Sequence, residues 1–339
     1  MPAEGRAEGP TEAQADGPTE TQAAGHRGGP HASITLLGPQ RRPRVDSVLR
    51  SLQLHGARAA IINAGWRERE PEDELLVSLN AGNAVNLRLW HRMQEVWDAD
   101  PEFAAADRQR RMLLEEMQDL YVVALDHVID ALRAMRNRVP RSQSVQAAAL
   151  GDAEQIMREI DQLHLERVNQ VHADFWERWP PHERRAVQLL RDLVSSELAD
   201  AEVILVPGGH VGVLVGAMHL FNIAPQLRVP IVAWGAGAMA LTDRVVLFHD
   251  RAVHGPSVSE VFTSGLGLVK DTVAFPGARE RLDLGNPQRM GVLARRFAPS
   301  QCLLLNDRAR VDIRPGGGLP DDAPVLDQDG TQTLMESVR

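Results

Sequence analysis

The chain has 339 residues, 43% of them hydrophobic, with 46 acidic against 37 basic side chains and a formal net charge of −9 at pH 7, the composition of an ordinary globular protein of one large or two smaller domains. The acidic balance and the lack of a basic stripe exclude a nucleic-acid surface, and no apolar run reaches the ~18 residues of a membrane span. The start, Met1-Pro2-Ala3-Glu4, lacks the basic and apolar regions of a secretion signal, so a cytoplasmic protein with neither nucleic-acid nor membrane partners is expected.

Residues 1–31 are Gly, Pro, Ala, Glu and Thr, with Gly-Pro-Thr-Glu occurring twice. Such a segment has too little apolar surface to offset the entropy of ordering, which predicts a disordered tail. Residues 32–84 read as the first part of an α/β domain. Ile34–Leu37 is a short strand, Val45, Val48, Leu49 and Leu52 share one helix face, and Ala59–Ile62 is a second strand. This β-α-β order predicts two parallel, adjacent strands joined by a right-handed crossover. The charged run from Arg67 to Glu74 either faces the crevice at the strand end or forms a solvated connection, the simpler reading.

Residues 85–200 change character and predict a helical insertion. Leu113, Met117, Leu120, Ala124, Val128 and Met135 recur at three- and four-residue steps, as do Ile156, Ile160, Leu163, Val168, Val171 and Phe175, with a break at Pro140 and Ser142. Two long antiparallel helices follow from this pattern. Trp90, Trp97, Tyr121, Trp176 and Trp179 give the block more apolar surface than two helices bury between themselves, so it packs on the sheet domain or on a second subunit. A homodimer through the hairpin is one expectation.

Residues 201–315 complete the α/β domain. Val203–Val206 and Ile231–Ala233 have the length and lack of alternation of strands buried on both faces. The first runs into Pro207-Gly208-Gly209-His210, a tight turn that can aim backbone N–H groups into a crevice at the strand ends. The second runs through Trp234 and Gly235 into Ala236, Gly237 and Ala238, a strand, a turn of small residues and a helix start. That is the layout of a nucleophile elbow, but Gly235 has no side chain with which to attack. Further on, Val245–Phe248 reads as a strand ending in His249-Asp250 at the functional edge of the sheet, and Val273–Phe275 as another. Pro287–Phe297 reads as a helix, Cys302–Leu305 with Val311–Ile313 as a terminal hairpin, and residues 316–339 as a mobile tail. Cys302, the lone cysteine, is expected to be inert core packing.

The segments P-G-G-H-V-G-V-L (207–214), P-I-V-A-W-G-A-G-A (230–238) and G-L-G-L-V (265–269), in that order, resemble the dipeptidase E and cyanophycinase-like serine peptidases of the class I glutamine amidotransferase-like superfamily. The resemblance covers Val203 to about Val311 and is compatible with the first two strands. It has no counterpart for the helical block. It implies a flavodoxin-like parallel sheet, here carrying a long helical hairpin insertion, with a serine nucleophile at the elbow and a catalytic histidine on the strand after G-L-G-L. Laid on that pattern, Gly235 stands at the serine position and Gly277 at the histidine position.

A Ser–His mechanism needs a hydroxyl within reach of a base, and both partners are missing. The binding half survives. Gly208 and Gly209 supply N–H donors, the helix beginning near Ala236 offers a positive dipole end, and His210, at a helix head, is expected to be a neutral imidazole. Gly208, Gly209, His210, Gly235 and Ala236 are thus the expected ligand-binding residues, for a small carboxylate- or amide-bearing molecule or an acidic peptide. No cofactor is expected. The alternative is a hydrolase in which His210, His249 or Asp250 activates water directly. His249, Asp250 and His254 offer at most three metal ligands from one loop, and a satisfied histidine pair is the simpler reading, so no metal is expected.

Overall fold

The computed structural model describes residues 32–41, 43–250 and 258–338. The expected amino-terminal tail and His254 lie outside the described residues. Five strands, β1 (Ile34–Leu37), β2 (Ala59–Ile61), β3 (Ala84–Asn86), β4 (Val203–Val206) and β5 (Ile231–Trp234), form a parallel sheet. Between them run α1 (Val45–Ser51), α2 (Glu74–Leu79), α3 (Leu89–Ala99), α4 (Pro101–Asn137), α5 (Gln143–Arg178), α6 (Arg185–Ala199) and α7 (Val211–Leu220). After β5 come α8 (Ala236–Ala240), the antiparallel pair β6 (Arg244–Leu247) and β7 (Glu260–Ser264), β8 (Thr272–Pro276), α9 (Ala278–Arg281), α10 (Pro287–Phe297) and β9 (Gln301–Leu305). The chain then returns to the first sheet as β10 (Arg310–Ile313), antiparallel to β1, and ends in β11 (Pro324–Leu326) and β12 (Gln332–Leu334).

The protein is a mixed α/β molecule with a largely parallel sheet and a long helical region. Its first sheet has the order β10-β1-β5-β4-β2-β3, and a second has the order β12-β11-β9-β8. Alternation along each strand divides the core. Leu37, Ala59, Ile61, Val203, Leu205, Val232 and Trp234 face α1 and α2, whose Val45, Leu49 and Leu76 meet them. Leu36, Ala60, Ile62, Ile204, Val206, Ile231 and Ala233 join the larger core that holds α3 and α7 on the other face. Burial on both faces is why these strands read as unbroken apolar runs.

Several expectations change. β1 and β2 are parallel but not adjacent, because β5 and β4 lie between them. The rule for parallel crossovers fixes their hand, not how many later strands insert. The parallel strands run in the order β3-β2-β4-β5-β1, so the chain's first strand closes the parallel part of the sheet beside β5. β3 also falls where strand signals were expected to stop. Cys302–Leu305 and Val311–Ile313 are not a hairpin: β9 lies in the second sheet, beside β8 and β11, and β10 at the edge of the first. The patterns agree with this, since β9 is buried almost throughout whereas β10 alternates as a half-exposed edge strand does. The expected mobile tail forms β11 and β12 instead, with Val325 and Leu326 buried.

The insertion is a helical hairpin whose inward face matches the expected one only in part: Val168 and Phe175 are buried, and Val128, Met135 and Ile160 pack against the core, as expected. Leu113, Leu120, Ile156 and Leu163 are exposed, while Phe103, Tyr121, Leu125 and Leu132 of α4 and Met157, Asp161 and His164 of α5, outside the expected set, are buried. At its centre Arg296 of α10 donates to both Asp161 oxygens, Nε to Oδ2 at 2.6 Å and Nη2 to Oδ1 at 2.7 Å. The Tyr121 hydroxyl donates to Asp161 at 2.7 Å and accepts from Arg296 at 2.9 Å and from the Val261 amide of β7 at 3.0 Å. Arg296 also donates to the Ser259 carbonyl. Trp90, Trp97, Trp176 and Trp179 are partly buried against the main core, to which the hairpin's own Phe103 and Phe175 belong, and Trp176 packs on those two rings.

Candidate functional site

The loops that follow β4 and β5 meet. After β4, Pro207-Gly208-Gly209-His210 leads into α7, and Gly209 has φ +128°. A Cβ there would lie 2.5 Å from the Gly65 carbonyl carbon, so only glycine lets the loops after β4 and β2 abut. The His210 amide donates to the Gly65 carbonyl at 2.8 Å and fastens them. After β5, Gly235 adopts φ 58° and ψ −130°, the sharp strand-to-helix turn expected for it. A Cβ on Gly235 would come 3.2 Å from the Gly208 Cα, and one on Gly208 would come 3.3 Å from the Ala236 nitrogen. The structure therefore brings Gly208, Gly209, Gly235 and Ala236 together, with His210 at the rim.

Among the described residues, the N–H groups of Gly208, Gly209, Gly235 and Ala236 donate to no protein acceptor. α8 is only five residues long, so the polarity of this cluster lies in these individual amides more than in a helix dipole, contrary to the sequence expectation. His210 caps α7, its Nδ1 accepting from the Val213 amide at 3.2 Å. That bond leaves the ring proton on Nε2, a donor. Partial burial, and then the charge of Arg67, hold the imidazole below its ordinary pKa.

Gly277 heads α9 with φ +70°, donates its N–H to the Leu305 carbonyl, and a Cβ there would meet the Pro39 ring at 3.3 Å. Leu37 pairs with Trp234, so Pro39 lies just past the level of Gly235. Gly277 thus approaches from the β1 side and Gly208 from the β4 side.

The remaining candidates are not part of this cluster. β6 lies outside the parallel sheet, in a two-stranded ribbon with β7, so His249 and Asp250 do not stand on its functional edge. Asp250 is buried, held by Arg289 at 2.6 and 3.0 Å, and accepts the Asp283 amide at 3.1 Å. It is a structural carboxylate. His249 beside it is exposed. Among the described residues, no three His, Cys, Asp or Glu side chains come together as a metal site. Cys302 is buried in β9, and burial pushes its thiol up to about 12, as an inert core residue requires.

Two residues near the cluster were not singled out from the sequence. Phe262 of β7 places its ring against the head of α7, where a Cβ on Gly212 would meet it at 2.9 Å. Arg67, in the 3-10 turn after β2, has φ 57° and ψ −126°, nearly the angles of Gly235. For a residue with a Cβ that conformation costs about 1–3 kcal/mol. The only signal was its place, five residues past Ile62 in a charged run. That run is not a plain solvated connection either: Glu70 is fully buried and accepts the Trp90 and His91 amides at the head of α3.

No family model matches the chain, and no curated protein matches it. Among solved structures, one titled "Crystal structure of a peptidase from an acI-B1 Actinobacterium" aligns with 90% of this chain and 94% of its own, at 15% identity and a TM-score of 0.41.

Proposed function

We propose that the protein is a non-catalytic relative of the dipeptidase E-like branch of the class I glutamine amidotransferase-like superfamily, and that it holds a small carboxylate- or amide-bearing ligand in the former active-site crevice without cleaving it. One observation carries the reading: the elbow turn at Gly235 keeps its geometry, φ 58° and ψ −130°, beside Gly208, yet presents no side chain. Amides without protein acceptors can still bind an oxyanion or a carbonyl oxygen. The alternative, a hydrolase with displaced acid–base chemistry, loses two of its three bases. His210 spends its basic nitrogen on the cap of α7, and Asp250 is neutralised by Arg289.

Calorimetry with an aspartyl dipeptide tests this. We expect saturable binding, full recovery of intact peptide after prolonged incubation, and a several-fold weaker affinity in Gly208→Ala, whose Cβ crowds the Ala236 N–H at 3.3 Å. Turnover by the wild type that disappears in His249→Ala would overturn the reading in favour of the hydrolase.

A further inference from the structure

We propose that Arg67 is the specificity residue of this crevice, its guanidinium gripping the ligand's carboxylate together with the Nε2–H of His210. The proposal rests on the crevice being a binding site, and it goes further by naming the group that selects an anion.

Topology supplies the first argument. β2 and β4 are neighbouring parallel strands. The helices that follow them lie on opposite faces, since Leu76 of α2 packs with Leu37, Ile61 and Leu205, whereas Leu214 and Met218 of α7 belong to the core of the other face. The space beyond the carboxyl ends of β2 and β4 is therefore a topological switch point, where open α/β sheets hold their ligands. Arg67 enters it from the β2 side and His210 from the β4 side.

Backbone strain supplies the second. The chain makes two turns of elbow geometry, and the one at Arg67 keeps a side chain. Its neighbours hold the conformation in place: Trp66 N donates to the Asn63 carbonyl and Glu70 N to the Arg67 carbonyl, both at 2.8 Å, and Asn63 Nδ2 donates to the Glu70 carbonyl at 2.7 Å. Strain that is fixed from both sides aims one side chain, and such residues cluster at ligand clamps.

Charge supplies the third. Among the described residues Arg67 has no ion pair and no side-chain hydrogen bond; neither Glu68 nor Glu74 pairs with it, and the three other acids nearby in sequence are engaged elsewhere. Glu70 serves α3 and His91, Glu72 pairs with Arg69, and Asp73 accepts from Asn86. The charge of Arg67 is felt at His210. The switch point thus holds one unneutralised guanidinium, an imidazole N–H and several backbone donors, a set that a single oxyanion completes. A guanidinium fork matches a carboxylate in bidentate fashion, and the chain's net charge of −9 weighs against a multiply charged phosphate.

The test is calorimetric titration of the full chain with succinate and with inorganic phosphate at low salt, for wild type, Arg67→Gly, Arg67→Lys and Gly208→Ala. Succinate is expected to bind the wild type more tightly than phosphate does. Arg67→Gly should weaken succinate binding about tenfold or more, as loss of a charge-assisted contact does, while its melting temperature rises by roughly 2 °C as the turn relaxes. Arg67→Lys, which keeps the charge without the fork, should lie between. Unchanged succinate affinity in Arg67→Gly alongside a loss in Gly208→Ala overturns the role of Arg67 and leaves the crevice reading standing. Tighter binding of phosphate overturns the carboxylate assignment, and no binding of either anion to the wild type overturns both.

Discussion

His172 of α5 is the histidine whose burial most strongly couples the fold to acid among the described residues. Its Nδ1 lies 3.3 Å from Arg110 Nη1 of α4. Burial first, then the positive charges of Arg110 and of His219 on α7, push its pKa down to about 3. A histidine with a depressed native pKa binds its proton mainly in the unfolded chain. Stability is then complete above the ordinary value near 6.5 and falls as pH drops from there towards 3. The slope is about 1.4 kcal/mol per pH unit, or about 2 kcal/mol between pH 7 and pH 5. Urea unfolding at the two pH values should show that loss in the wild type and little of it in His172→Gln; equal losses in both would assign the acid sensitivity to other groups. The sequence did not distinguish this histidine, because nothing in a helical repeat tells which of its turns an arginine will cover. His210 was legible because its place, between a glycine turn and an apolar helix, already fixed its surroundings.

At the scale of elements, the hairpin shows why a periodic pattern can be right about the helices and only partly right about their faces. α4 and α5 form where the three- and four-residue spacing puts them, yet the docked face is the one that carries Tyr121 and Asp161. A reading that tracks only apolar residues turns away from polar side chains, and these two are among the most buried because Arg296 satisfies them. Leu120 at 65% and Leu163 at 50% exposure are left on the solvent side. Removing one member of a buried ion pair strands the other, at a cost of about 3–5 kcal/mol. Asp161→Ala should therefore lower unfolding free energy by that amount, whereas Leu120→Ser and Leu163→Ser should change it by less than about 0.5 kcal/mol. Denaturant midpoints of the three variants decide it, and a large loss in the leucine variants with none in Asp161→Ala would restore the face read from the sequence.

At the scale of the whole molecule, the glycine turns and the central strands were legible because each is a local arrangement of a few residues. The order of strands was not, because it depends on contacts between segments far apart in the chain. β1 meets β5 nearly two hundred residues later, and β10 and β11 diverge to different sheets although only ten residues separate them. Composition misled at the carboxyl end. The Gly-Gly-Gly run and acidic residues of 316–338 look like a solvated tail, but Leu319, Ala323, Val325 and Leu326 are buried, β11 pairs with β9, and Arg295 Nη1 donates to the Gln328 carbonyl. Burial of three large side chains contributes about 5–8 kcal/mol, comparable to the whole stability of many domains. Truncation after Gly316 would also expose the edge of β9, a strand with four buried residues in a row, as a template for pairing with other chains. The truncated protein should accordingly collect in aggregates on size-exclusion chromatography and lose its cooperative thermal transition. If it runs instead as a monomer with the melting temperature of the full chain, β11 contributes nothing and the tail is as dispensable as its composition implies.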